Sequence, residues 1–344
     1  MSKLERNSSI DAIKGVAIVL VMIGHVFVHN QMEDAYIYDF IKAVQMPLFM
    51  IISGYLCGIG RKISDLRTFG KVLSKRAIAY LVPFFSWLTI LHWNNLLEAY
   101  KRIFFELDFG LWFLAVLFIL TFMVYTAQLA AGKLREKNPL LSELVFWVVY
   151  GAMCVVLVVQ ILFGNTFLSP YLTIIYVPFY MLGYVAGNYG KKFFCWNQGE
   201  TGKIDCKKNW MVRSAITLCA AVFLYLIVAK DLDCMETKMD TIIQMIASFV
   251  GSCAVIYGIF LWKDGKWKNF FAKIGFYTLE IYVVHYHFAN ILNFNHTQYD
   301  FYTWKGAAFV VVSFVAMCAI TFVSVWILKK VRSLDFLLFG KKSA

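Results

Sequence analysis

Apolar residues gather in ten stretches long enough to cross a bilayer, near 9–29, 41–60, 77–95, 110–132, 143–164, 170–189, 211–229, 241–262, 272–293 and 305–328. Each predicts a helix, because a single segment in lipid must satisfy its own backbone groups. The chain therefore reads as all-α, a polytopic membrane protein with about ten transmembrane helices. No connection is long enough to fold by itself, so residues 1–344 read as one transmembrane domain.

The first stretch breaks the apolar rule in an ordered way. Asp11, Lys14 and His25 fall within it. At 3.6 residues per turn, eleven positions return His25 to within about 20° of Lys14, and Asp11 shares that face. Ionisable side chains inside a membrane helix are disfavoured by a few kcal/mol or more, and they usually face a cavity or a partner. A polar track along one side of the helix points to function.

Composition agrees with membrane insertion: 60% of residues are hydrophobic, 18% aromatic and only 16% charged, with a mean hydropathy of +0.66. A net charge of +12 would suit nucleic acid, but its distribution argues against that partner. With the N-terminus in the cytoplasm, 26 of the 33 Lys and Arg fall in cytoplasmic connections, tails or helix ends. Six fall on the other side, and Lys14 lies within the first helix. The positive-inside rule then predicts N-in and C-in. The first stretch lacks a short apolar region with a small-residue cleavage site, and it reads as an uncleaved span.

The stretch 190–210 carries five Lys and reads as a solvated cytoplasmic loop between six helices and four. Two G-x-x-x-G pairs, Gly54/Gly58 and Gly183/Gly187, predict close helix packing. Eight Cys are scattered without any C-x-x-C, so neither disulfides nor a zinc site are expected; Cys195 and Cys206 share the 190–210 loop without a nearby His. No internal repeat is evident.

Six His are present. His25, His92 and His285 each lie about 20 Å from the inner end of their predicted helices, which places three imidazoles at one depth. His29 and His296 read as interfacial. A neutral imidazole accepts a proton from a hydroxyl and returns it, which is general base catalysis. Lys14 lies about 16 Å along the axis from His25, so its role belongs at the cytoplasmic mouth. There Arg61, Lys62, Lys75 and Arg76 would form a basic entrance suited to phosphates; ordinary positive-inside charge accounts for the first three equally well.

These residues resemble a known family. Lys14, ten residues and His25 are similar to the R-x10-H motif of the acyltransferase-3 family of integral membrane acyltransferases. Met46-Pro47-Leu48-Phe49 leading to Ser53-Gly54-Tyr55 resembles its second-helix signature. Arg76, seven residues before Pro83, resembles its basic approach to the third helix, and Leu111-Trp112-Phe113-Leu114 its fourth-helix pattern. Phe179 to Gly183-Tyr184, and Gly275 through Ile281-Tyr282 to His285, resemble later landmarks. Two positions depart from the pattern. Lys14 stands where the motif has Arg, without the bidentate fork that Arg brings to phosphate, and Ala79 stands where a second Arg is expected three residues after Arg76.

The resemblance implies transfer of an acyl group, usually acetyl, from cytoplasmic acyl-CoA to a hydroxyl of a carbohydrate. His25 would serve as general base or transient acyl carrier. Lys14 and Arg76 would hold the CoA phosphates and Ser53 would line the donor channel; Arg61 and Lys75, from the basic entrance, are further donor-side candidates. Asp11 and Glu280 are further catalytic candidates; Glu280 would orient a helix-1 partner or an acceptor hydroxyl, or else pair with Lys14 or Arg76. His285, Tyr282 and Trp112 are candidates for the acceptor side, Tyr55 joining the aromatic surface and Trp93 reading as interfacial belt.

The sequence thus predicts a multi-pass O-acyltransferase of the bacterial cytoplasmic (inner) membrane, without an appended soluble domain. It would use acetyl-CoA as co-substrate, hold no tight cofactor or metal, act on a carbohydrate or lipid-linked glycan, and bind no nucleic acid. The competing reading is a proton-coupled transporter of an anionic small solute along the Asp11–Lys14–His25 face. A membrane scaffold would leave that face unexplained.

Overall fold

The computed structural model describes residues 8–193, 206–229, 237–293, 297 and 299–341. Among them there is no strand. In order the helices are α1 (Ser8–His29), α2 (Tyr36–Ile59), α3 (Leu66–Leu91), α4 (Leu96–Ile103), α5 (Trp112–Gly132), α6 (Pro139–Leu162), α7 (Pro170–Phe193), α8 (Cys206–Ala229), α9 (Lys238–Phe260), α10 (Lys266–Phe276), α11 (Thr278–His285), α12 (Trp304–Leu328) and α13 (Arg332–Phe339). Single 3-10 turns follow α4 and α11. The all-α expectation holds, and every predicted stretch contains a helix. The protein is a multi-pass membrane protein: seven of the described helices, α1, α2, α5, α6, α7, α9 and α12, are long and apolar enough to cross a bilayer. The stretch 190–210, expected as a loop, is helical at both ends, with Lys191 and Lys192 in α7 and Lys207 and Lys208 in α8; Cys195 and Lys203, and also His296, lie outside the described residues.

Three features depart from the sequence reading. α3 begins eleven residues before the expected stretch, because Asp65 caps it by accepting from the Thr68 N–H at 2.8 Å. Its first turns carry Arg67, Lys71, Lys75 and Arg76, which hydropathy alone scores as loop. The span expected at 272–293 is divided into α10, α11 and a 3-10 turn. At the break the Thr278 hydroxyl bonds the Gly275 carbonyl at 2.6 Å, and Tyr277 caps α10. A hydroxyl engaging the helix backbone beside a glycine is a recognised cause of helix interruption. Finally, the connection at 96–109 folds α4, whose polar Glu98, Lys101 and Arg102 oppose buried Ala99 and Ile103.

The helices fall into two compact units, Met1–Ile52 with Gly190–Trp326, and Ser53–Tyr189 with Ile327–Ala344. In the first, α1 is deeply enclosed, with Ala12, Ala17, Ile18 and Val26 fully buried. It meets α10 through two glycines. A Cβ on Gly15 would lie 1.9 Å from the Phe271 carbonyl oxygen, and one on Gly275 would lie 1.9 Å from that of Asp11. Further along, Met22, Val26 and Phe27 pack with Tyr38, Ile41, Ala289, Val310 and Met317.

In the second unit the expected G-x-x-x-G packing is present. Gly54 and Gly58 on α2 lie against the Tyr180 and Tyr184 carbonyls of α7, and Gly187 lies against Tyr55. Pro139 opens α6 at the first helical position, after the Asn138 cap. Outward-facing Val148, Val155 and Val156 on α6 suit a hydrocarbon solvent. α13 is seated on α3, where the Trp87 indole donates to the Leu338 carbonyl at 3.2 Å.

Candidate active site: imidazoles on α1 and α11, phenols around Arg76

Because α1 is uninterrupted, the spacing read from sequence survives in three dimensions. The Lys14 ammonium bonds the Asp11 carboxylate at 2.8 Å, at the level where Gly15 and Gly275 let α1 and α10 touch. Asp11 is buried and Lys14 partly exposed. His25 sits about 16 Å further along the axis. Contacts advance in the same chain direction on both partners, from Asp11 and Gly275 to His25 and His285, so α1 and α10–α11 run parallel.

At the upper level two of the three expected imidazoles meet. The His25 and His285 ring centroids are 5.2 Å apart. His285 is fully buried, and its Nδ1 lies 2.8 Å from the Ile281 carbonyl. A carbonyl can only accept, so Nδ1 carries the hydrogen and the neutral ring presents a lone pair at Nε2. That Nε2 is buried without a hydrogen-bond partner among the described residues. Tyr282 is 6.2 Å from His285 on the same helix, and Glu280, also on α11, is fully buried.

His29, which the sequence reading assigned to the interface, joins this cluster. Its ring is 5.9 Å from His25, and Tyr286 lies edge-on to both, at 5.1 Å from His25 and 4.7 Å from His29. The signal was present, because positions four apart share a helix face. His92, by contrast, caps α3 in the other unit and stacks on Phe109 at 4.4 Å.

The second unit holds Ser53, Arg61, Lys75, Arg76 and Trp112. Ser53 is half-buried on α2 beside Gly54, whereas Arg61 and Lys75 are exposed. Arg76 is half-buried and fixed: it donates to the Tyr80 hydroxyl at 3.2 Å and the Tyr125 hydroxyl at 3.4 Å. Five guanidinium N–H groups leave donors over for an anion. Trp112 opens α5 and stacks on Tyr176 at 5.4 Å.

A phenol-rich network continues beyond Arg76. The Thr121 and Tyr180 hydroxyls lie 3.1 Å apart, and Gln128 donates to the Tyr184 hydroxyl at 3.1 Å while accepting from the Ile63 N–H. Lys62, in the turn after α2, donates to the Gly58 carbonyl and to Asn188, over the face of Tyr184. Burial pushes the Lys62 ammonium down to about 8. With Arg135 and Glu143 it lines a cavity of about 140 Å³.

Among curated proteins, the chain is 27% identical over 187 residues to "Nodulation protein NolL" of Sinorhizobium fredii, covering 52% of this chain and 48% of that protein. It is 37% identical over 94 residues to "Nodulation protein NolL" of Mesorhizobium japonicum, covering 25% of this chain and 24% of that one. The chain thus spans about half the length of the first of these relatives, and about a quarter of the second. No solved structure matches it. The model of a family described as "Acyltransferase domain" matches residues 7–329, through both units and through every residue of the imidazole cluster and the Arg76 network. By that match the chain belongs to the acyltransferase-3 family of integral membrane acyltransferases.

Proposed function

We propose that this protein is an O-acyltransferase of the bacterial cytoplasmic membrane, with both termini in the cytoplasm. It moves an acyl group, acetyl foremost, from cytoplasmic acyl-CoA to a hydroxyl of a carbohydrate or lipid-linked sugar. The observation that carries the reading is the pairing of His25 with a second imidazole whose Nδ1 is committed to Ile281 and whose Nε2 is unspent.

In the proposed reaction His25 takes the proton from the acceptor hydroxyl as the oxygen attacks the thioester carbonyl. The tetrahedral adduct expels the CoA thiolate, the new C–O bond remains as the ester, and the imidazolium returns its proton to sulfur. Atoms and charge balance without a further reactant. Used instead as an acyl carrier, the same ring would accumulate an acyl-imidazole before acceptor is added. His285 and Tyr282 serve the acceptor side of this reaction. Asp11 pairs with Lys14, and Glu280 orients a helix-1 partner or an acceptor hydroxyl. The roles of Lys14, Arg76 and Ser53 toward the CoA moiety, and of Trp112 toward sugar, rest on the family pattern, and those of Arg61 and Lys75 on their exposed positive charge. Proton-coupled export of an anion is not retained, because the chain's family is one of acyltransferases.

The test is transfer of label from radioactive acetyl-CoA by the purified protein, with and without a lipid-linked oligosaccharide acceptor. His25→Ala is expected to lower turnover by about 10³-fold or more while keeping the wild-type melting temperature. Equal turnover in the folded variant would overturn the assignment.

A further inference from the structure

The cavity beside Lys62 lies at one end of the second unit, where α2, α5 and α7 finish and α6 begins. Lys62 reaches it from the turn after α2, Arg135 from the turn after α5, Glu143 from the first turns of α6, and Asn188 from the last turns of α7. Its volume of about 140 Å³ is below the roughly 300 Å³ at which whole small-molecule sites begin. It therefore takes one group of a ligand and leaves the rest outside.

The positive charges of this cavity have no carboxylate against them. Among the described residues neither Lys62 nor Arg135 forms an ion pair. Lys62 spends two of its three N–H donors, on the Gly58 carbonyl at 3.1 Å and on Asn188, and keeps the third. The half-buried Arg135 guanidinium makes no hydrogen bond among the described residues. Glu143, the one carboxylate among the lining residues, is exposed and accepts from the Tyr189 hydroxyl. On the turn that carries Arg135, exposed Lys133 and Lys137 outnumber Glu136.

Two cations therefore share one small cavity, and each repels the other's charge. Burial lowers the Lys62 pKa first, and Arg135 lowers it as well. An anion between them would relieve both costs. A phosphate monoester carries close to two negative charges at neutral pH, one for each cation. Its oxygens suit the guanidinium fork, with Lys62 as the accompanying point charge.

We propose that this cavity binds a phosphate monoester, which on the acyl-transfer reading is the 3′-phosphate of the CoA nucleotide. The proposal rests on that reading for the source of the phosphate, but not for the site itself. With both termini in the cytoplasm, this end of the unit faces the side from which acyl-CoA comes. Cys57 lies within electrostatic reach of both Lys62 and Arg76. A nucleotide anchored here by its 3′-phosphate thus has its diphosphate free to engage Arg76. A phosphodiester, with a single charge, leaves one of the two cations uncompensated.

Isothermal titration of the full chain in non-ionic detergent, with CoA, 3′-dephospho-CoA and inorganic phosphate as probes, tests it. Wild type is expected to bind CoA about tenfold or more tighter than 3′-dephospho-CoA, the range for a charged hydrogen bond. Arg135→Gln, in a turn outside the helices, should lose that preference and leave 3′-dephospho-CoA binding unchanged. Lys137→Gln, exposed on the same turn, should keep it. Equal binding of the two nucleotides by wild type, or an unchanged preference in Arg135→Gln, would overturn the proposal. Phosphatidylglycerol, a diester, should not displace CoA; displacement that Arg135→Gln abolishes would make this a lipid-headgroup site and overturn it too. If wild type turns over acetyl-CoA without any preference for the 3′-phosphate, this site falls alone. Should it neither bind CoA nor turn over acetyl-CoA, yet bind inorganic phosphate in a way lost in Arg135→Gln, the site stands and the acyl-CoA reading falls.

Discussion

The surroundings of Arg76 and of His25 handle polar groups in an apolar solvent in opposite ways. Around Arg76 the polar side chains bond one another: guanidinium to Tyr80 and Tyr125, Thr121 to Tyr180, Gln128 to Tyr184 and the Ile63 backbone. Around His25 valences are left open, with the Nε2 atoms of both His29 and His285 buried and unbonded among the described residues. A satisfied network in low dielectric is rigid and holds a shape. An unspent acceptor beside a second imidazole is what proton transfer needs. Under the proposed function, chemistry would belong to the imidazoles of the first unit and donor binding to the Arg76 network of the second.

Both units also bring backbones together through glycine, and the same substitution should separate their roles. Gly15→Ala drives a Cβ into the Phe271 carbonyl and shifts α10–α11, which carries His285. It is expected to abolish turnover and lower stability by about 1–3 kcal/mol or more, the range for overpacking. Gly54→Ala meets the Tyr180 carbonyl just as closely. A similar fall in thermal stability is expected there, with residual turnover and a raised KM for acetyl-CoA. Identical kinetic losses in both variants would erase the distinction.

A smaller effect is expected at His29. His29→Gln keeps a polar tip beside His25 but not an imidazole, and should lower kcat by about tenfold and narrow the pH–rate profile. An unchanged profile would return His29 to a purely packing role.

The weakest effect concerns Lys62. Burial holds it near 8 in the folded protein, against the ordinary lysine value of 10.5 in an unfolded chain. Between those values the unfolded state binds more protons, so stability rises with pH over that window. Melting temperature should therefore climb from about pH 8 toward pH 10 in wild type, and this component should vanish in Lys62→Met. A parallel slope in both proteins would exclude Lys62 as its source.

Much of this was legible along the chain, and the exceptions have physical reasons. The spans and the polar face of α1 follow from hydropathy and the helical repeat, because an unbroken helix preserves sequence spacing. The division of α10 from α11 was hidden, since Gly275-Phe276-Tyr277-Thr278 passes as apolar while its hydroxyl and glycine interrupt the ladder. Tyr80 lies one turn from Arg76 and could be read from sequence. Tyr125, 49 residues away, could not. The meeting of Gly15 with Gly275 is likewise a tertiary fact that no local pattern announces.

The division of labour is decided by a kinetic split, with kcat and KM for acetyl-CoA measured side by side in folded His285→Ala and Arg76→Ala. His285→Ala should lower kcat by about 10²-fold, the lower range for loss of a proton-transfer partner, with KM within about twofold. Arg76→Ala should raise KM by about tenfold or more, as loss of a charged hydrogen bond does, with kcat far less affected. The reverse pattern, KM moved by His285 and kcat by Arg76, would contradict the account.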